Sequence, residues 1–330
     1  MKRKLAFLLM LCFGWSFFLN GCGGTLPKTD DRLQVVCTIF PEYDWARQLT
    51  QGVDNVDLTL LVKNGTDLHS YQPSVRDIAM IARADVFCYV GGVSDTWVND
   101  VLDTTENRTA QLVSMAETAD ADEEVLAEGM QAEHEHEHDH HDDESDSHEE
   151  PPELDEHVWL SLRRAALACT AMKEALCKAD PAHEDIYNQN CTDYLQKLQE
   201  LDSNFTEMTS QAARDTIVVA DRFPFRYLAE DYGLTYYAAF PGCSAETEAS
   251  FETIVFLSEK VESLHLPCVL VTEGSNSSLA KTILENAGSD GKILTLQSLQ
   301  AVSQKEIDTG VTYLSKMQEN YDVLKQALNS

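Results

Sequence analysis

Leu33-Gln34-Val35-Val36-Cys37-Thr38-Ile39-Phe40-Pro41-Glu42-Tyr43-Asp44-Trp45-Ala46-Arg47-Gln48-Leu49-Thr50 contains two elements in immediate succession. Residues 33–40 form a short apolar run of the length and β-branched content of a buried strand. Pro41 then stands where a helix opens, because the N–H it lacks is one a helix start leaves unbonded in any case. The alternation continues outward, with a strand at 56–62, a helix at 74–84 and the run Val86–Val90 closed by Gly91-Gly92. Strands alternating with helices predict a parallel sheet with crossover helices, and such sheets bind ligands beyond the carboxyl ends of their strands.

A second series of the same kind begins at Thr216. Strands are expected at 216–220, 234–238, 268–272 and 292–296, and helices at 226–232, 250–264, 278–287 and from about Thr309. Each series opens with a strand followed by Phe-Pro, at Phe40-Pro41 and at Phe223-Pro224, a faint echo that supports two similar lobes. Between them, helical patterning runs over 159–178, breaks at Asp180-Pro181 and resumes over 182–211 without Gly or Pro. At 1.5 Å per residue that last stretch spans about 45 Å, longer than a small domain needs, so it reads as a rigid strut.

The amino terminus reads as an export signal. Lys2, Arg3 and Lys4 precede an apolar run from Leu5 to Leu19 that is too short to span a bilayer comfortably. It ends Leu19-Asn20-Gly21-Cys22, which resembles a bacterial lipobox and makes Cys22 the expected lipidation site and first mature residue. Acyl chains on Cys22 would hold the protein at an extracytoplasmic membrane face. The formal charge is −32; losing the three basic signal residues and no acid makes it −35, which repels nucleic acid and attracts cations. Of nine Cys, Cys12 lies in the signal and Cys22 is the lipid site. The remaining seven are odd in number and form no C-x-x-C, so no disulfide framework is expected. Cys169 and Cys177 fit a helical core pattern.

Residues 1–21 are thus read as signal, 22–32 as tether, 33–160 as a first lobe, 161–211 as a helical linker and 212–330 as a second lobe. Within the first lobe, residues 117–153 are acidic and poor in apolar groups, and are expected to be a disordered loop. His134, His136, His138, His140, His141 and His148 alternate there with carboxylates, a composition suited to weak, plural capture of borderline metal ions. Deleting residues 133–150 should impair uptake mainly when metal is scarce and leave cleft affinity nearly unchanged.

Two further histidines stand in defined contexts. His69, in Gly65-Thr66-Asp67-Leu68-His69-Ser70-Tyr71-Gln72-Pro73, follows the second strand, where ligands arrive. His157, in Asp155-Glu156-His157-Val158-Trp159-Leu160, has neighbouring carboxylates able to orient its ring.

In combination, the sequence resembles the zinc and manganese solute-binding lipoproteins of ABC importers, cluster A-I. The shared features are the lipobox, G-x-D-x-H-x-Y-x-P at 65–73, the acidic His-rich loop, D-x-H-x-W-L at 155–160, the linking helix and F-x-Y-L-x-x-x-Y-G at 225–233. The resemblance covers essentially the whole mature chain. It implies an α/β protein of two Rossmann-like lobes with parallel sheets, bridged by a long rigid helix, with the metal in the interlobe cleft. His69 would be the first ligand and His157 the second. The family's third ligand, a His or Glu five residues before Tyr227, falls on Arg222, whose guanidinium cannot donate to a metal. Neighbouring carboxylates, a loop histidine or water would then complete the shell; among the carboxylates, the strand-end acids Asp221 and Glu273 are preferred over Glu246 or Glu248.

The implied function is capture of a divalent ion, Zn2+ before Mn2+, by a monomer anchored outside the cytoplasm. The monomer would hand its cargo to an importer permease, with lobe closure presenting the loaded surface. A manganese receptor of the same type, and a metal-binding adhesin or buffering lipoprotein without a transporter, are the alternatives. A metallohydrolase would need a signature such as the G-x-S-x-G elbow or a phosphate loop, which the sequence lacks.

Overall fold

The computed structural model describes residues 32–63, 65–66, 68–104, 109–130, 154–244 and 248–330. The first series folds as β1 (Leu33–Cys37), α1 (Phe40–Leu49), β2 (Val56–Leu60), α2 (Val75–Ile81), β3 (Val86–Tyr89), α3 (Thr96–Thr104), β4 (Gln111–Ser114) and α4 (Met115–Thr118). Two long helices follow, α5 (Leu162–Ala179) and α6 (Glu184–Ser210). The second series is β5 (Thr216–Phe223), α7 (Arg226–Asp231), β6 (Thr235–Pro241), α8 (Phe251–Ser263), β7 (Cys268–Thr272), α9 (Ser278–Asn286) and β8 (Lys292–Leu296), closed by α10 (Gln304–Asp308) and α11 (Tyr313–Asn329).

Two four-stranded sheets result, in the orders β2-β1-β3-β4 and β6-β5-β7-β8, and every strand pair is parallel. The two orders are the same topology repeated, so the Phe-Pro echo marks equivalent strand ends. β5 differs from β1 in one respect: its register with β6 shifts between Val219 and Arg222, which carries the strand on to Phe223.

Both faces of each sheet are covered, which explains why the strand sequences are continuously apolar instead of alternating. Val35 and Cys37 point into one large cluster, while Val36 between them joins Phe87, Ile81 and Val98 on the opposite face. In the second sheet Val219 enters the same large cluster, and Val218 packs with Leu257, Val269 and Ile283 beyond it. That large cluster is continuous: Trp45 from the first sheet's side, Trp159, Met172 of α5, Phe205 of α6, and Leu296 and Tyr313 from the second series are all buried in it. Residues 32–330 accordingly form one compact unit.

The sequence reading differs from the structure in places that physical causes explain. α3 and β4 were not expected; β4 is only four residues long and carries a half-exposed Leu112, so its apolar signal is weak. Residues 117–130, expected to belong to a disordered loop, have defined structure: Glu117 and Thr118 lie in α4. Ala119 is buried, and Glu123 forms an antiparallel bridge with Leu154. Residues 131–153, with His134, His136, His138, His140, His141 and His148, lie outside the described residues, as do Cys22 and Glu246. The seven cysteines from Cys37 to Cys268 are all free thiols, with Cys169 fully buried and Cys177 partly so.

Candidate metal centre

The loop after β2 carries a short 3-10 turn, Leu68–Ser70, that Leu68 pins by complete burial. His69 is the next residue. Ser94 Oγ donates to Glu156 Oε1 and so accepts from His69 Nδ1–H, 2.7 Å away; Glu156 Oε1 itself lies 3.2 Å from Nδ1. This network assigns the proton to Nδ1 and leaves the Nε2 lone pair for a ligand. The Nε2 atom is buried.

His157 is placed by a different set of contacts. It precedes a 3-10 turn, Val158–Leu160, whose three residues are all buried. The turn is fastened from the second series: Trp159 Nε1 donates to Ser298 O at 2.9 Å, and Tyr313 Oη donates to Trp159 O at 2.7 Å. Tyr227 Oη likewise donates to Asp155 O at 2.7 Å. The Asp155 carboxylate turns inward, accepting from His157 N at 3.1 Å and from His157 Nδ1 at 2.9 Å. His157 is fully buried, and its Nε2 makes no hydrogen bond. A buried polar atom without a partner carries an energetic cost of roughly 1–3 kcal/mol, which a bound ion would remove.

The two imidazoles face each other with ring centroids 5.5 Å apart. One further donor meets them: one ring nitrogen of each histidine and Cys243 Sγ lie within 4.8 Å of one another. Cys243 follows the end of β6 at Pro241, and its N–H donates to Glu124 Oε1 at 3.3 Å. Two glycines make this approach possible. A Cβ on Gly242 would stand 2.9 Å from His157 Cε1, and one on Gly92 would overlap the Glu156 side chain.

The electrostatics favour a cation at this point. Burial alone would raise Glu156, but the His69 hydrogen bond, the charges of His157 and His69, and Ser94 outweigh it and hold the carboxyl below its usual range. Burial opposes the His157 cation, yet Asp155, Glu156 and Glu124 overcome it and raise the ring's proton affinity. The Cys243 thiol is pushed up, first by burial and then by Glu156, Glu124 and Asp155. One field therefore favours positive charge on the ring and disfavours negative charge on sulfur; a dication placed among these donors would satisfy both tendencies.

Of the four ligands expected from the sequence, the structure brings His69 and His157 together and leaves Asp221 and Glu273 out of the donor cluster. Both acids line the adjoining cleft of about 590 Å³, with His69, Arg222, Gly242 and Ser298. Their oxygens are engaged within their own sheet. Asp221 Oδ2 accepts from Thr272 Oγ1 at 2.6 Å and Oδ1 from Arg222 N at 2.9 Å. Glu273 accepts from Ser298 N and Ser298 Oγ, both at 2.6 Å. Cys243 escaped the sequence reading although the rule that selected the acids also covers it. The expected strand ends at Ala238, whereas β6 runs to Pro241 and so places Cys243 just past a strand end.

Residues 35–327 match the family described as ZnuA, zinc-uptake complex component A, periplasmic. The chain is 31% identical over 326 residues to the zinc-binding lipoprotein AdcA of Streptococcus pneumoniae, a match covering 99% of this chain and 61% of the longer relative. It is 30% identical to the high-affinity zinc uptake system protein ZnuA of Bacillus subtilis over 98% of this chain and 96% of that protein. The crystal structure of the Zn(II)-bound ZnuA-like domain of Streptococcus pneumoniae AdcA superposes with a TM-score of 0.70 at 29% identity, covering 91% of this chain and all of that one. The two parallel sheets, the linking helix and these matches agree, and the chain belongs to the ZnuA family of zinc-uptake binding components.

Proposed function

We propose that the protein is an extracytoplasmic solute-binding lipoprotein, not an enzyme, that captures Zn2+ in the cleft and delivers it to the permease of an ABC importer. One observation carries this reading. A fully buried imidazole, His157, faces a partly buried one, His69, and each has a carboxylate oxygen close to its Nδ1, the arrangement that commits Nε2 to a metal and fixes the ring's direction. His69 and His157 are the proposed ligands; Asp221 and Glu273 shape the cleft wall. Nitrogen donors favour Zn2+ over Mn2+, whose preference is for carboxylate and carbonyl oxygen.

Residues 33–160 would act as the first lobe and 212–330 as the second, joined by the helical segment 161–211, with lipid on Cys22 holding the receptor at the membrane. Among the described residues no helix is long and apolar enough to cross a membrane, which is consistent with anchorage at the amino terminus. The His-rich residues from His134 to His148 would gather ions for the cleft. Isothermal calorimetry should find one tight Zn2+ site in the wild type and none in the His69→Ala/His157→Ala double variant; an unchanged tight site in that variant would defeat the reading.

A further inference from the structure

We infer that Cys243 is a zinc ligand of this chain, and that its thiolate takes the coordination position that Arg222 leaves unfilled. The inference rests on the receptor reading and makes it more specific: the site would be a two-imidazole, one-thiolate centre selecting borderline and soft cations. Three observations support it. Cys243 Sγ and a ring nitrogen of each histidine lie within 4.8 Å of one another, and among the described residues no carboxylate or other thiol completes such a group with the two histidines. The fully buried His157 holds Nδ1 on Asp155 and keeps a buried, unpartnered Nε2. Gly242 gives the Cys243 loop the room to lie against the His157 ring, where a Cβ would clash.

The metric fits a small closure. Zn–N distances of about 2.0–2.1 Å and a Zn–S distance of about 2.3 Å imply donor separations of roughly 3.3–3.6 Å around a tetrahedral ion. Each donor would have to move about an ångström or less from its place in the metal-free cluster. When the ion enters, the S–H proton leaves to solvent and the sulfur lone pair forms the metal bond, so two positive charges arrive and one leaves. The carboxylates of Glu156, Asp155 and Glu124, which act on this sulfur, face the net positive charge.

Topology gives the assignment a simple form. β2 and β6 hold the same place in their sheets, so His69 and Cys243 leave equivalent strands and approach the ion from the two sheets. A thiolate also sharpens selectivity. Sulfur suits Zn2+, Co2+ and Cd2+ and is a poor donor for Mn2+.

Co2+ is the probe, because a thiolate bound to it gives an intense near-ultraviolet charge-transfer band that imidazole and carboxylate do not. The reduced wild-type protein titrated with Co2+ should develop this band with one equivalent, and Zn2+ should abolish it while excess Mn2+ does not. Cys243→Ser should bind Co2+ without the band and lose about tenfold or more in Zn2+ affinity. Cys243→His should recover most of the affinity, still without the band. X-ray absorption of the Zn2+ form should find one sulfur at about 2.3 Å in the wild type and none in Cys243→Ser. One equivalent of Co2+ bound by the wild type with no sulfur band would overturn the inference and leave the receptor reading intact. Failure to bind any of these ions would overturn both.

Discussion

The two sheets share one strand order and one direction, yet their strand ends serve different purposes. At the first sheet the carboxylates point at imidazoles: Glu156 and Asp155 hold the Nδ1 atoms of His69 and His157 and turn two rings into directed donors. At the second sheet the carboxylates hold backbone and hydroxyl groups: Asp221 ties Thr272 and Arg222, Glu273 ties Ser298, and Cys243 is the second-sheet residue that meets the two histidines. The same architecture thus orients imidazoles on one side and braces a cleft wall on the other. All four acids accept from local backbone or hydroxyl donors; what distinguishes them is that Glu156 and Asp155 also have an imidazole Nδ1 beside them.

The sharpest way to break this contrast is to remove a ring. His157→Ala should lower Zn2+ affinity roughly a thousandfold, about 4 kcal/mol, and by more than His69→Ala, because His157 is fully buried and its loss also leaves Asp155 without its imidazole. Competition titration against a chelator would show this, and equal effects of the two substitutions would remove the asymmetry.

The first sheet's side also carries buried acids away from the rings. Glu42 is pushed from its ordinary 4.5 to about 8, chiefly by burial and then by the charge of Asp95. Asp95 is raised to about 7, again mainly by burial. A raised carboxyl keeps its proton in the folded state where the unfolded chain has released it. Its contribution is therefore full below the ordinary value and declines as pH climbs to the folded one. Metal-free protein should lose on the order of 2–4 kcal/mol between about pH 4.5 and 8 in denaturant melts, and Glu42→Gln should flatten that slope. A slope untouched by Glu42→Gln would show that the carboxyl titrates normally.

Smaller effects test the supporting groups. Asp155→Asn should cost about ten- to a hundredfold in Zn2+ affinity by releasing the ring and its tautomer, with the fold's melting temperature changed little. Asp221→Asn and Glu273→Gln should do the reverse, changing affinity by about threefold or less while lowering stability by roughly 1 kcal/mol each. A loss of tenfold or more in Zn2+ binding in either variant would return that acid to the ligand shell and dissolve the contrast between the two sheets.

Much of the architecture could be read from residue patterns, because strands covered on both faces are continuous apolar runs and the long helices have no internal breaks. The two histidines were legible for a related reason: the loop of one is fixed by Gly65 and Pro73, and the other lies among acids at a helix approach. The remaining donor was not. Locating Cys243 needs the true end of β6 at Pro241, and strand ends depend on a register with β5 that includes a local shift. Glu273 follows β7 as expected, whereas Asp221 lies inside β5, which runs on to Phe223, and no spacing in the sequence reveals that Thr272 and Ser298 already face these acids.

The continuous apolar cluster that runs from Trp45 through Phe205 to Tyr313 limits how far one half of the molecule can move against the other. A wide swing of one half against the other would wet that seam, at about 25 cal/mol for each Å² uncovered, so exposing a few hundred Å² already costs as much as a tight ion is worth. Under the receptor reading proposed above, release would take a short stroke: shifting the His69 loop or the Cys243 loop by an ångström or two would open the site and leave the scaffold dry.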